Sequence, residues 1–238
     1  MKTIIISDLH NRVDWVELTL SLLKYDNVVF LGDYFDDFND THKDAENVAK
    51  WLKQSLQIPN RIHLIGTHDI WYMFKHSFLK ASGNSDGKRK VINKILTKED
   101  WEKLKPFCII QNFYLTHAGI HPSFIKNNKV FNTVYIETKE AFNDIKGGNF
   151  NLWFGAGESR GGYQPFGGIT WLDWNEEFEP IQNMNQIVGH TTFNYPQENH
   201  TENSKNYCLD TKNKHIGILE NGKFSWIETK SINSNVFI

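Results

Sequence analysis

Five apolar runs in this chain end by presenting aspartate or histidine. They read Ile4-Ile5-Ile6-Ser7-Asp8-Leu9-His10, Val28-Val29-Phe30-Leu31-Gly32-Asp33-Tyr34-Phe35-Asp36, His63-Leu64-Ile65-Gly66-Thr67-His68-Asp69, Tyr114-Leu115-Thr116-His117-Ala118-Gly119 and Gln186-Ile187-Val188-Gly189-His190-Thr191. A strand that ends this way delivers its polar side chains to the carboxyl edge of a sheet, where open α/β sheets bind ligands. Each segment alone has an ordinary reading. Asp8 could cap a helix, Gly32-Asp33 could be a turn, and His68 and His117 could be hydrogen-bonded core histidines. Together they deliver carboxylate oxygen and imidazole nitrogen to one edge, the donor set that divalent metals take. Asp8 and His10, one residue apart on an extended exit, can face the same ion.

The surrounding pattern sets the layers. A β-branched run at 2 to 6 and further runs at 28 to 31 and 61 to 65 read as buried strands. Helical spacing separates them: Val13 to Leu23, then 43 to 56, where Ala45, Val48, Ala49, Leu52 and Leu56 share a face. Alternation of this kind implies parallel pairing through right-handed crossovers. From about 70 to 105 the pattern becomes an aromatic helix (Trp71, Tyr72, Phe74, Phe78, Leu79), a polar basic loop at Gly83 to Lys90 and a helix from Val91 to Leu104. Within it, Thr97 is a candidate cap. This stretch is expected as a helical cap insertion over the sheet edge. Phe107 to Leu115 reads as strand, Thr138 to Ile145 as helix and Gly155 to Gly162 as loop. Residues 186–188, 206–209, 215–219 and 223–228 read as strands, with Asn221-Gly222 as a hairpin turn. The expectation is an α/β (α+β mixed) fold, a four-layer α/β/β/α sandwich of two mixed sheets flanked by helices. A single domain would occupy 1–230, with a C-terminal tail at 231–238.

Composition narrows the class. In 238 residues the formal net charge is −2, which gives no field pointing to nucleic acid or an anionic membrane. No run approaches the ~18 apolar residues of a membrane helix. Cys108 and Cys208 sit in apolar strand-like runs, as reduced thiols of a cytoplasmic protein would.

In order and spacing, the blocks Asp8-Leu-His10, Gly32-Asp33-Tyr-Phe-Asp36, Gly66-Thr67-His68-Asp69, His117-Ala-Gly119 and Gly189-His190-Thr191 resemble the signature of the calcineurin-like metallophosphoesterases. The resemblance extends from residue 8 to about 191, and 208–223 look like the closing strands of that fold. It implies two divalent metal ions, manganese first, with iron, zinc or nickel as alternatives. Asp8, His10 and Asp33 would bind one ion. Asp33 as the bridge, Thr67, His117 and His190 would bind the other. His68 would be the general acid, oriented by Asp36. Threonine stands at 67 where the family usually has asparagine, so the second ion is expected to be held less tightly. Asp37 follows Asp36 where phosphatases usually carry a phosphate-gripping arginine, and it would repel phosphate. Arg160, in its glycine-flanked loop, is the candidate replacement. Thr192 stands where nuclease-like branches place a second histidine, so the chain resembles the phosphoprotein phosphatase and dinucleoside tetraphosphatase branch. The expected activity is hydrolysis of phosphate monoesters, with a phosphorylated protein or nucleotide as partner. The alternatives are a dinucleoside polyphosphate hydrolase and a pseudo-phosphatase serving as a binding module.

Overall fold

The computed structural model describes residues 1–125 and 130–234. The first half of the chain builds one sheet. Strand β1 (Lys2–Ile6) pairs in parallel with β2 (Asn27–Phe30), and β2 with β3 (Arg61–His63). Helices α1 (Val16–Ser21) and α2 (His42–Ser55) make the crossovers. Two late strands complete this sheet: β9 (His215–Glu220) runs antiparallel to β1, and β10 (Lys223–Glu228) antiparallel to β9. Its order is β10-β9-β1-β2-β3.

The second sheet has the order β4-β5-β6-β8-β7, from β4 (Phe107–Ile110), β5 (Phe113–Thr116), β6 (Asn185–Val188), β7 (Gln197–Thr201) and β8 (Ser204–Cys208). Its β5-β6 and β6-β8 pairs are parallel, and its outer pairs antiparallel. Side-chain alternation explains why the sheets stack. Ile5, Val29 and Leu31 point inward to meet Phe113, Leu115 and Ile187, while Ile4, Ile6, Val28 and Phe30 pack on the helical side. The two mixed sheets with helices outside are the sandwich that the sequence pattern predicts.

Helix α2 shows how local sequence sets an element. Thr41 caps it, accepting from the Lys43 and Asp44 N–H groups, and Asp44 reaches back to the Thr41 N–H at 2.8 Å. Ala45, Val48, Ala49 and Leu52 are buried along one face. Three helices follow β3, namely α3 (Thr67–Phe74), α4 (Asp86–Ile95) and α5 (Lys98–Trp101), and α4 lies alongside α2.

Several boundaries differ from the sequence expectation. The Gly83 to Lys90 loop is in part helix α4, because Ser85 accepts from the Lys88 N–H and starts a turn at Asp86. Phe107 to Leu115 is a hairpin rather than one strand, because Gln111 and Asn112 take φ of 48° and 67° and reverse the chain. Helix α1 is shorter than Val13 to Leu23, and α6 (Val130–Lys146) is longer than Thr138 to Ile145. Strand β7 has no apolar signal to read. The tail expected at 231–238 begins as helix α7 (Thr229–Ser234), with Ile232 buried against the core, and 235–238 lie outside the described residues. No helix among the described residues is long and apolar enough to cross a membrane.

Candidate metal centre

The strand ends converge at one rim. Asp8 and His10 follow β1, Asp33 and Asp36 follow β2, His68 opens α3 after β3, His117 follows β5 and His190 follows β6. Five of these residues sit in left-handed backbone: Asp8 (φ 38°), His10 (42°), Asp33 (54°), Asp36 (64°) and His190 (69°). Non-glycine residues rarely adopt this region, and where they do it clusters at functional sites. At the ends of β1, β2 and β6 the chain turns sharply, so that the side chain, rather than the continuing backbone, occupies the rim. Two glycines make room. A Cβ on Gly66 would collide with the Asp33 carboxylate, and one on Gly189 with Asp8 Oδ2.

Asp33 lies at the middle. Its Oδ1 accepts the His68 N–H at 2.8 Å, and its Oδ2 faces His117 Nε2 at 3.3 Å and His10 Nε2 at 3.8 Å. His10 donates from Nδ1 to the Asp36 carbonyl at 2.6 Å, and His117 donates from Nδ1 to the Leu31 carbonyl at 2.9 Å. These bonds commit the Nδ1 protons to backbone and turn both Nε2 atoms toward Asp33, the orientation that metal-ligating histidines show. His117 Nε2 is also 3.2 Å from His190 Nδ1. Two donor sets result, His10 with Asp33 and His68, and Asp33 with His117 and His190, each with its ligand atoms within 4.8 Å of one another. Asp33 belongs to both.

The cluster has the electrostatics of a cation site. Asp8 Oδ1 accepts the His190 N–H at 3.0 Å, but its Oδ2 and the Nε2 of His190 are buried with no hydrogen-bond partner. Burial pushes the Asp8 carboxyl well up, helped by Asp210 and Asp33. Burial also pushes His190 well down, as do the charges of His117 and Arg160. His117 is buried too, yet the Asp33 charge and hydrogen bond outweigh that and raise it to about 9. A buried carboxylate oxygen and a buried imidazole nitrogen, both without partners and beside Asp33, mark a site short of positive charge. The residues present therefore fit divalent ions.

Thr67 is buried at the start of α3, where its hydroxyl donates to the Thr170 carbonyl. That bond spends its proton, so only oxygen lone pairs remain for a cation.

His68 is built differently. Its Nδ1 faces Asp36 Oδ2 at 3.2 Å. Asp36 also accepts from Tyr72 Oη, Asn84 Nδ2 and Lys88 Nζ, each at 2.6 Å. Every other partner of this carboxylate is a donor, so His68 Nδ1 must carry its proton there. Burial would lower His68, but the charges of Asp33 and Asp36 raise it, which favours the protonated ring. Burial would raise Asp36, but its bonds from His68, Lys88 and Tyr72 prevail and keep it low.

The sequence reading missed the supports of this arrangement. Asp69 accepts the N–H groups of Asp33, Tyr34 and Gly66 at 2.8, 2.9 and 2.9 Å, pinning the two loops together. Burial and the Asp33 charge raise it to about 7. Lys88 bridges Asp36 and Asp40, the latter at 2.8 and 3.0 Å. Among three consecutive basic residues, nothing in the sequence distinguishes it.

Beside the cluster, a cleft of about 360 Å³ is lined by His10, His68, Arg12, Arg160 and Lys212, and also by Asp36, Asp37 and Phe38. Arg160 holds Asp173 at 2.7 Å and donates to Thr191 at 2.9 Å. The expected repulsion from Asp37 needs correction: Arg12 grips this carboxylate through Nε at 3.0 Å and Nη2 at 2.8 Å, so its charge is paired. Arg61 is bound to Glu17 away from the site, and His121 stacks on Phe166.

Comparison with known proteins places the fold and the family. The fold is similar to a cold-active protein-tyrosine phosphatase from a Shewanella species, with TM-score 0.57 and 16% identity, covering 96% of this chain and 78% of that one. It is also similar to a protein serine/threonine phosphatase from Saccharomyces cerevisiae, with TM-score 0.53 and 11% identity, covering 96% and 80%. No curated protein matches the sequence significantly. The sequence model of the calcineurin-like phosphoesterases matches residues 1–193, and the chain belongs to that family.

Proposed function

We propose that this chain is a phosphomonoesterase that works with two divalent ions sharing Asp33, and that phosphoproteins are its substrates. The observation that carries this reading is the pair of donor sets meeting at one carboxylate. Asp8, His10 and Asp33 would hold one ion, with Asp8, which stands outside the first donor set, taking the place that the geometry gives His68, and Asp33, His117 and His190, joined by Thr67, would hold the other. Mixed nitrogen and oxygen donors suit manganese, with iron, zinc or nickel as alternatives. Bound there, the ions supply Lewis acidity toward the phosphoryl oxygens and acidify attacking water. Two of the similar structures are named as protein phosphatases, which supports the substrate class. The free thiols Cys108 and Cys208 support a cytoplasmic setting.

The chain's own residues account for the rest. Asp36 fixes the Nδ1 proton of His68, which leaves Nε2 to give a proton to the departing oxygen. Arg160, in the cleft and oriented there by Asp173, would steady the phosphate with the guanidinium edge that Asp173 leaves open. The test compares Asp33→Asn and His68→Asn on p-nitrophenyl phosphate and an alkyl phosphate across manganese, iron, zinc and nickel. Asp33→Asn should abolish turnover and lower metal content at both sites. His68→Asn should keep its metal and lose ~10²–10⁴-fold in kcat, less for the nitrophenyl ester, whose leaving group needs no proton. Equal losses on both esters would remove His68 from the acid role, and an active Asp33→Asn would end the shared-ion reading.

A further inference from the structure

One turn beside the cleft is held by hydrogen bonds at both ends and carries a phenylalanine at its apex. The Asp40 N–H bonds the Asp37 carbonyl at 3.3 Å, closing a turn with Phe38 and Asn39 at its corners. At its start, Asp37 is gripped by Arg12, and its Oδ1 accepts the Phe38 N–H at 2.8 Å. At its end, Asp40 takes Lys88 at 2.8 Å and Asn11 Nδ2 at 2.8 Å. Asp36 and Asn39, at φ of 64° and 62°, fix the direction of the chain on either side of Phe38.

Phe38 itself is 93% exposed. A lone exposed apolar side chain carries no argument on most surfaces. This one lines the same cleft as His10, His68, Arg12, Arg160 and Lys212. Lys212 makes no ion pair among the described residues, while Arg12 and Arg160 are each bound to an aspartate. The cleft therefore combines a free cation, the candidate acid and one exposed aromatic side chain carried on a hydrogen-bonded turn.

We propose that Phe38 is the leaving-group subsite of this enzyme, and that it takes a flat aromatic ring carried by the phosphate ester. The inference rests on the phosphomonoesterase reading and narrows its substrate class. With His68 as the acid, the leaving oxygen lies on the His68 side of the phosphate, and Phe38 lines that same cleft. A polyol leaving group gains little from a phenyl face, whereas an aromatic ring gains stacking and apolar contact. A volume of about 360 Å³ lies at the low end of small-ligand pockets, which suits a phosphate with one attached ring system. The ring could come from a phosphotyrosine side chain or from a nucleotide base.

The test measures kcat/KM of the metal-loaded full chain on phosphotyrosine, adenosine 5′-monophosphate and glycerol 3-phosphate, for the parent, Phe38→Ala and Phe38→Trp. Phe38→Ala should lower the aromatic-to-glycerol ratio by about 3- to 10-fold, mainly through KM, and Phe38→Trp should preserve it. A fall for only one of the two aromatic esters supports the subsite and identifies the source of the ring. Turnover by the parent with a ratio unchanged in Phe38→Ala overturns the subsite alone. No turnover of any of the three esters by the parent overturns the phosphomonoesterase reading and the subsite with it.

Discussion

Lys88 shows how much one side chain can carry. It enters from α4, is 7% exposed, and places its ammonium 2.6 Å from Asp36 and 2.8 Å from Asp40. Replacing one partner of a buried ion pair leaves the other charges uncompensated, at a cost of roughly 3–5 kcal/mol. Lys88→Met should therefore lose stability near the lower end of that range in urea unfolding, because Tyr72 and Asn84 still bond Asp36. A change below half a kcal/mol would show that water already compensates both carboxylates. Asp36, His68 and Asp33 were legible in the sequence because a strand end followed at once by Asp or His is itself a pattern. Lys88, Tyr72, Asn84 and Asp69 were not. Their chemistry depends on helices α3 and α4 folding back toward the β2 rim, and no local spacing records that.

At the scale of elements, the buried face between β3 and α2 contains a titratable core residue. His63 stacks on Phe30 at 4.6 Å and bonds Tyr34 Oη and Ser55 Oγ, each at 3.0 Å. Burial and the nearby Arg61 charge push it down to about 3. As pH falls from about 6.5 toward 3, the unfolded chain takes up a proton on this histidine and the folded chain does not. Stability contributed by the neutral ring is thus complete above about 6.5, and below that it is lost at up to about 1.4 kcal/mol per pH unit. The parent should show this slope between pH 6 and 4 relative to His63→Gln, and parallel curves for the two proteins would mean that His63 titrates normally. Elements with strong local signals, such as β1, α2 and the Asn221-Gly222 turn, were readable because period, cap and turn chemistry agree. Strand β7 and the Gln111-Asn112 reversal were hidden, because a polar edge strand has no buried face to mark it. The reversal of β4 into β5 depends on two left-handed residues inside an apolar run.

For the molecule as a whole, the site ties distant segments together, so metal binding and global stability should be linked. In chelator-treated protein, manganese at a hundredfold excess over Kd should stabilise the fold by about 2.7 kcal/mol for each ion bound, which is roughly 5–10 °C in Tm per ion for a chain of this size. Asp33→Asn should show no shift at the same concentration in a thermal melt, and an equal shift in both proteins would place the binding elsewhere. The sheet order has a further consequence, which concerns the ribosome. β1 is the first strand made, but its antiparallel neighbour is β9, paired from Lys2↔Glu220 to Ile5↔Gly217. At synthesis rates of 5–20 residues per second, roughly 10–40 s separate the emergence of the two strands. Throughout that interval one edge of β1 has no partner, and the Ile4-Ile5-Ile6 stretch is open to pairing with other nascent chains. The two donor sets also mature at different times: His10, Asp33 and His68 lie within the first 70 residues, whereas the set of Asp33, His117 and His190 is complete only after most of the chain has been made.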